Sequence, residues 1–341
     1  MVKKAILKCL VFLLLIGVIL TALEPLFVFK IDHRGKFLQG LYLSDDEYDV
    51  VMLGSSHMNG GLDPNVLWNQ YGITSYNYAT GGQPIDVTYY LLKEVLKKHK
   101  DPIVVVDLYY LGLADKYGET GFVSNVIDNM RFSPNKLDAI FNCTPPSQWP
   151  QFLLPFLKYH SRWYNLTAED FTYDGSEIAY EKGFKAGTTR YGKENTSLAD
   201  TSNRAEIPPK TLDYLNKIID LSKTENFKLV FINFPCDYTD SNNEKGWVND
   251  SEALLNTAAD IAAKNGIPFL DYNDKADEIG IDFAQDMNNS GHLNIWGAIK
   301  TSTYFGNYLK QNFDLTDHRS DSDYAQWDSD YRLSQAASIL K

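Results

Sequence analysis

The stretch VVMLGSSHMNGGLDP, residues 50–64, decides how the rest of the chain is read. Four strand-forming residues, Val50–Leu53, run straight into Gly54-Ser55-Ser56-His57. An apolar run without polar alternation suits a strand covered on both faces, as in a parallel sheet. Such sheets gather reacting groups and ligands at the carboxyl ends of their strands. Gly54 permits a tight turn there, and two hydroxyls and an imidazole follow it directly. By itself the motif is equally a strand end whose serines cap the next helix.

Working outward, strand-like and helix-like patterns alternate. Strands are expected over 49–53, 73–79, 102–108, 228–234 and 267–272. Between and after them, helices are expected over 63–72, 84–100, 209–226, 250–266 and 293–313. In the second of these, Val87, Tyr90, Leu91, Val95 and Leu96 share one face. Strand alternating with helix argues for a flavodoxin-like, three-layer α/β/α fold around a mainly parallel five-stranded sheet. Residues 108–207 break the rhythm with Pro134, Pro145, Pro146, Pro150 and Pro155, and read as an insertion of helix and loop. The polar stretch after residue 29 reads as irregular, and 314–341 as an acidic tail.

The N-terminus carries Lys3, Lys4 and Lys8 and then an apolar run to residue 23. As a helix, residues 5–23 reach roughly 28 Å at ~1.5 Å per residue, close to a hydrocarbon core of ~30 Å. With the lysines on its near side, the run reads as an anchor over 1–29 whose N-terminus faces the cytoplasm, leaving 30–313 as an extracytoplasmic α/β domain. A cleaved signal peptide is the rival reading. The formal net charge is −12, and the anchor lysines make the remainder more acidic still, which disfavours nucleic acid as a partner. Of three cysteines, Cys143 and Cys236 lie in the domain, either paired or separately buried. The Cys and His spacing matches no metal motif, and no cofactor is expected.

A second polar motif near the far end carries the chemistry further. DFAQDMNNSGHLNIWGAIK, residues 282–300, puts His292 in a glycine-flanked loop ahead of the last helix. In the expected topology that loop shares a rim with Gly54-Ser55-Ser56. A hydroxyl needs such a base to act as a nucleophile near neutral pH.

Together these motifs resemble the SGNH/GDSL hydrolase superfamily. Gly54-Ser55-Ser56 is similar to its first block, and His292-Leu293-Asn294 with Gly297-Ala298-Ile299-Lys300 is similar to the last block of its membrane-anchored bacterial members. Those members include the D-alanyl transfer protein of teichoic acid and other O-acyltransferase partner proteins. The resemblance implies that Ser56 attacks an acyl carbonyl and His292 relays its proton. Ser56 and Gly81 or Gly82 would then supply backbone N–H groups to the oxyanion. The family's acid three residues before the histidine is Asn289 here, so Asp286 is the expected orienting carboxylate, with Asn289 as the other candidate. Where the family has an asparagine after the third strand, this chain reads Asp107-Leu108-Tyr109-Tyr110, and Tyr109 is the candidate replacement donor. His57 either touches substrate or caps a strand end, and His160, Arg162 and Trp163 either line an acceptor groove or hold the insertion in place.

The resemblance implies extracytoplasmic acyl transfer or ester hydrolysis on a cell-envelope polysaccharide or teichoic-acid-like polymer, beside a membrane-bound O-acyltransferase. The alternative is an anchored, non-catalytic polysaccharide-binding protein on the same fold. A metal-dependent hydrolase using His57, His292 and Asp286 is the weakest reading.

Overall fold

The computed structural model describes residues 2–27, 36–171, 176–195, 201–238, 246–248 and 250–339. Five strands form one sheet: β1 (Val50–Leu53), β2 (Ser75–Asn77), β3 (Ile103–Asp107), β4 (Lys228–Asn233) and β5 (Phe269–Asp271). Their order is β2-β1-β3-β4-β5, and every neighbouring pair is parallel. This is a doubly wound order that reverses direction between β1 and β3, the switch point at whose carboxyl side such sheets place their sites.

The period of two along each strand divides the apolar residues between two cores. Val51, Leu53, Val104, Val106, Leu229 and Phe231 enter one. Val50, Met52, Ile103, Val105, Val230 and Ile232 enter the other. The α-helices, in chain order, are α1 (Val2–Phe27), α2 (Ser56–Gly61), α3 (Pro64–Tyr71), α4 (Ile85–Val95), α5 (Thr120–Ile127), α6 (Pro134–Cys143), α7 (Trp149–Leu153), α8 (Phe156–Tyr159), α9 (Ser176–Tyr180), α10 (Pro209–Thr224), α11 (Ser251–Lys264), α12 (Ala276–Ile279), α13 (Phe283–Asp286), α14 (Ile295–Asn312) and α15 (Ala325–Ile339). Helices α4, α10 and α11 cover the first face through Val87, Leu91, Leu215, Ile218, Leu254 and Ala258. Helices α2, α3 and α14 cover the second through Met58, Leu67, Phe305 and Leu309. The sheet is therefore sandwiched, which explains strands with no polar alternation.

Local signals set the helix ends. Asp63 caps α3 by accepting from the Asn65 N–H at 2.8 Å, Pro64 opens it, and Gly72 closes it in the left-handed conformation. Asn294 caps α14 through the Trp296 and Gly297 N–H groups.

Two expectations change, those for the stretch after residue 29 and for the tail. The stretch after residue 29 is not simply irregular: in its described part, residues 36–43 are helical, and Phe37, Leu41 and Tyr48 are buried in the first core. The stretch 108–207 has no strand among its described residues, and Val123, Ile127, Ile140 and Phe152 join that same core. The acidic tail folds into α15 from Ala325 onward, which lays Trp327 into the core, accepts the Trp68 indole N–H on Asp328 at 2.9 Å and donates from the Ser334 hydroxyl to Glu181 at 2.9 Å. Cys143 and Cys236 are both free and buried, so the pairing is not formed.

The N-terminal run is helical, and Leu7, Phe12 and Leu14 are exposed along α1. Lys3, Lys4 and Lys8 share that helix, and among the described residues no helix is long and apolar enough to cross a membrane.

A buried ion pair fastens the tail. Lys182 bonds to Asp330 with both side chains more than nine-tenths buried, and its ammonium lies 4.5 Å from the Trp327 ring centroid. Removing one partner leaves the other charge buried alone. Asp330→Ala is expected to cost about 3–5 kcal/mol, read as a lower midpoint in urea unfolding of the full chain.

Candidate active site

Parallel pairing builds the rim. Leu53 lies opposite Val106, so the residues that follow β1 emerge beside Asp107, the last residue of β3. The Asp107 carboxylate accepts from the Ser55 N–H at 2.5 Å, the Ser55 hydroxyl at 3.3 Å and the Tyr109 N–H at 3.0 Å. Burial pushes its pKa up to about 6, against the pull of those donors. The turn between is Gly54, with φ +142, and a Cβ there would collide with the Asp107 carboxylate. The glycine thus serves both the backbone conformation and the approach of the carboxylate. Ser55 caps α2 by accepting from the His57 N–H at 3.2 Å, and Ser56 is the first residue of that helix.

His292 arrives from the other side on a short hairpin. Met287 bridges Leu293, and the Asn288 N–H bonds the His292 carbonyl at 2.7 Å. At the tip, Asn289 Oδ1 accepts from the Gly291 N–H at 3.0 Å and the His292 N–H at 2.9 Å. The same oxygen lies 3.0 Å from His292 Nδ1. Two backbone donors can only meet the carbonyl side of the amide, so the orientation of Asn289 is set by the network. His292 Nδ1 must then carry the proton, which leaves Nε2 as an acceptor. Nε2 lies 2.8 Å from Ser56 Oγ. Ser56, His292 and Asn289 form one continuous line.

Asp286 is not in that line, which corrects the expectation that it orients the imidazole. It ends α13, where its carboxylate accepts from the Asp282 N–H at 2.7 Å and pairs with Lys300 at 2.5 Å. An Asx-type turn places the residue three before the histidine under the ring, whatever its charge. The set His57, His292 and Asp286 is accordingly not assembled as a metal site, and among the described residues no cluster of three or more His, Cys, Asp or Glu fits one.

His57 is buried beside the line. Its ring stacks on Tyr109 with centroids 3.7 Å apart and lies 4.5 Å from the His292 ring. Its Nδ1 is buried without a hydrogen-bond partner. Burial first, and the neighbouring His292 second, hold its pKa well below the ordinary imidazole value. Burial also lowers the His292 pKa. Tyr109 enters as a stacking wall, and its ring continues to Trp247, with centroids 5.5 Å apart.

The Thr80 N–H bonds the Gly54 carbonyl at 3.1 Å, which brings the Gly81-Gly82 turn to the same rim. Gly82 has φ +65, and a Cβ on it would strike the Phe122 ring. The glycine is thus required for the turn and for packing. His160 and Arg162 belong elsewhere: the His160 ring bonds the Leu157 carbonyl at 3.0 Å, and Arg162 donates to the Phe27 carbonyl at 2.8 Å.

Two contributors were missed in the sequence. Asp107 was read only as a departure from a family pattern, although an acid ending a buried strand beside a glycine turn is a signal for a backbone clamp. The segment 185–191 also supports the site. Lys185 N–H bonds the Asn59 carbonyl at 3.0 Å, Ile295 N–H bonds the Gly187 carbonyl at 2.9 Å, and Tyr191 N–H bonds the Met287 carbonyl at 2.9 Å. No local pattern announces that role.

No protein-family model matches this chain. No curated protein matches it in sequence either. Among solved structures, a gut microbial diltiazem-metabolizing enzyme aligns over 76% of this chain at 16% identity, with a TM-score of 0.29. The chain spans 46% of that structure's length. A likeness of that degree carries no argument about the reaction.

The clamp makes a stability claim. Asp107→Ala strands the buried N–H of Ser55 and the part-buried N–H of Tyr109, at up to about 1–3 kcal/mol for each unmatched group. Urea unfolding is expected to show a loss in that range, whereas an exposed control such as Asp220→Ala should stay within about 0.5 kcal/mol.

Proposed function

We propose that this chain is a serine acyltransferase or esterase of the SGNH/GDSL type, acting through an acyl-Ser56 intermediate. The observation that carries the reading is the unbroken contact from Ser56 Oγ to His292 Nε2 to Asn289 Oδ1 at 2.8 and 3.0 Å. It stands on the carboxyl rim of a parallel sheet, where such sheets perform chemistry.

In this mechanism the neutral His292 accepts the Ser56 proton at Nε2 as Oγ bonds to the acyl carbon. The imidazolium returns that proton to the leaving group, and the bond from the acyl carbon to the donor breaks. An acceptor hydroxyl or water, deprotonated in turn by Nε2, then bonds to the acyl carbon, and the acyl–Oγ bond breaks as the imidazolium returns that proton to Ser56 Oγ. Asn289 holds the tautomer and the ring plane. Being neutral, it adds no charge to offset the imidazolium, unlike the acid of a Ser-His-Asp site. His57 stays neutral and so does not compete for the proton. The Gly81-Gly82 turn and the Ser56 N–H are the proposed oxyanion donors. The acceptor is proposed to be a cell-envelope polymer outside the membrane, with a membrane-bound O-acyltransferase supplying the acyl group. The resemblance of the two sequence blocks supports these last points.

A fluorophosphonate probe tests the reading on the full chain. The adduct is expected on Ser56, located by mass spectrometry, and absent in Ser56→Ala. His292→Ala should slow labelling by about 10³-fold or more, and Asn289→Ala by less. An intact, folded chain that shows no adduct would favour the non-catalytic reading.

The pH dependence has a definite sign. The base is the neutral imidazole, and burial lowers its pKa, so the acid limb of labelling should fall below the ordinary 6.5. Asn289→Asp places a negative charge beside Nδ1, stabilises the imidazolium and should move that limb to higher pH. A limb that does not move would remove Asn289 from the relay.

A further inference from the structure

Helix α1 ends against the insertion, and the way it ends is built. Arg162 donates to the Phe27 and Leu26 carbonyls at 2.8 and 3.4 Å, where the last carbonyls of a helix have no intrahelical N–H donors. Asp170 holds the guanidinium at 2.6 Å, and the Phe27 ring packs edge-on against Phe156 with centroids 5.1 Å apart. The exit of the apolar helix is thus fixed to the segment 153–171.

That segment turns large apolar side chains outward. Trp163 is 64% exposed, Tyr164 84% and Phe171 64%, with Leu153, Leu154 and Leu157 also exposed. A soluble surface has scattered apolar residues, but six large exposed ones within residues 153–171 mark an interaction face. The segment's cations are occupied internally: Lys158 pairs with Asp128 at 2.9 Å and Arg162 with Asp170. The face is therefore apolar and aromatic rather than basic, which suits the boundary between lipid headgroups and acyl chains, where Trp and Tyr concentrate.

We propose that residues 153–171 dock on the bilayer interface at the point where α1 leaves it, so that the domain is held against the membrane rather than tethered at a distance. This rests on the proposed reading of α1 as a helix embedded in the bilayer through its exposed apolar side chains, for which a full crossing is not required.

Nitroxide accessibility in nanodiscs of phosphatidylcholine tests it on the full chain. Cys9→Ser removes the exposed thiol, and Cys143 and Cys236 are buried. Single labels go at Leu13→Cys on α1, Tyr164→Cys on the face, and Asp220→Cys as an exposed control on α10. Phe171→Cys serves as a second reporter of the face. Oxygen accessibility is expected to exceed nickel-chelate accessibility at 13, 164 and 171, with the reverse at 220. A lipid-like signal at 13 with water-like signals at 164 and 171 would overturn the docking face and leave the anchor standing. Water-like signals at 13 as well would overturn both.

Discussion

The register of β1 on β3 is the constraint on which the site depends. Val50 to Leu53 face Ile103 to Val106, and both strands are covered on both sides. A slip of one residue would send each side chain into the opposite core. Because the register holds, Gly54 and Asp107 meet at the rim, and the carboxylate captures the backbone of the turn that carries Ser56. The position of the candidate nucleophile is thus settled by main-chain hydrogen bonds in a sheet rather than by contacts of its own side chain.

His292 is placed by a different device. A hairpin closed between Met287 and Leu293 turns on the side chain of Asn289, and the segment at 187–191 braces its base. The two halves of the candidate relay come from opposite ends of the chain, and α14, packed against α2, joins them: Thr301 Oγ1 donates to the Gly61 carbonyl at 2.6 Å. The neutral amide in the relay and the uncharged, stacked His57 leave His292 as the group suited to take a proton there.

Much of this was legible in the residues. Apolar runs without alternation, glycine and proline punctuation and amphipathic helices pointed to a doubly wound sheet, and the two polar motifs at strand ends pointed to Ser56 and His292. Asp286 carries the charge, yet the turn that ends at His292 puts Asn289 under the ring, because turn geometry rather than charge selects the acceptor. Asp286 and Lys300 have no sequence spacing that announces their pairing. The helix over 36–43 and the folding of the acidic tail were also hidden, since each is stabilised by burying aromatic residues against distant elements.

By itself the sequence determined the class of fold, the strands and the two motifs, because periodicity and turn chemistry are local properties of a chain. Only the tertiary structure decided which acceptor sits under His292, that Asp107 clamps the turn ahead of Ser56, and that Arg162 serves the end of α1 rather than the site. Those are long-range hydrogen bonds and ion pairs. Their partners are chosen by how the layers pack, and no local pattern encodes that choice.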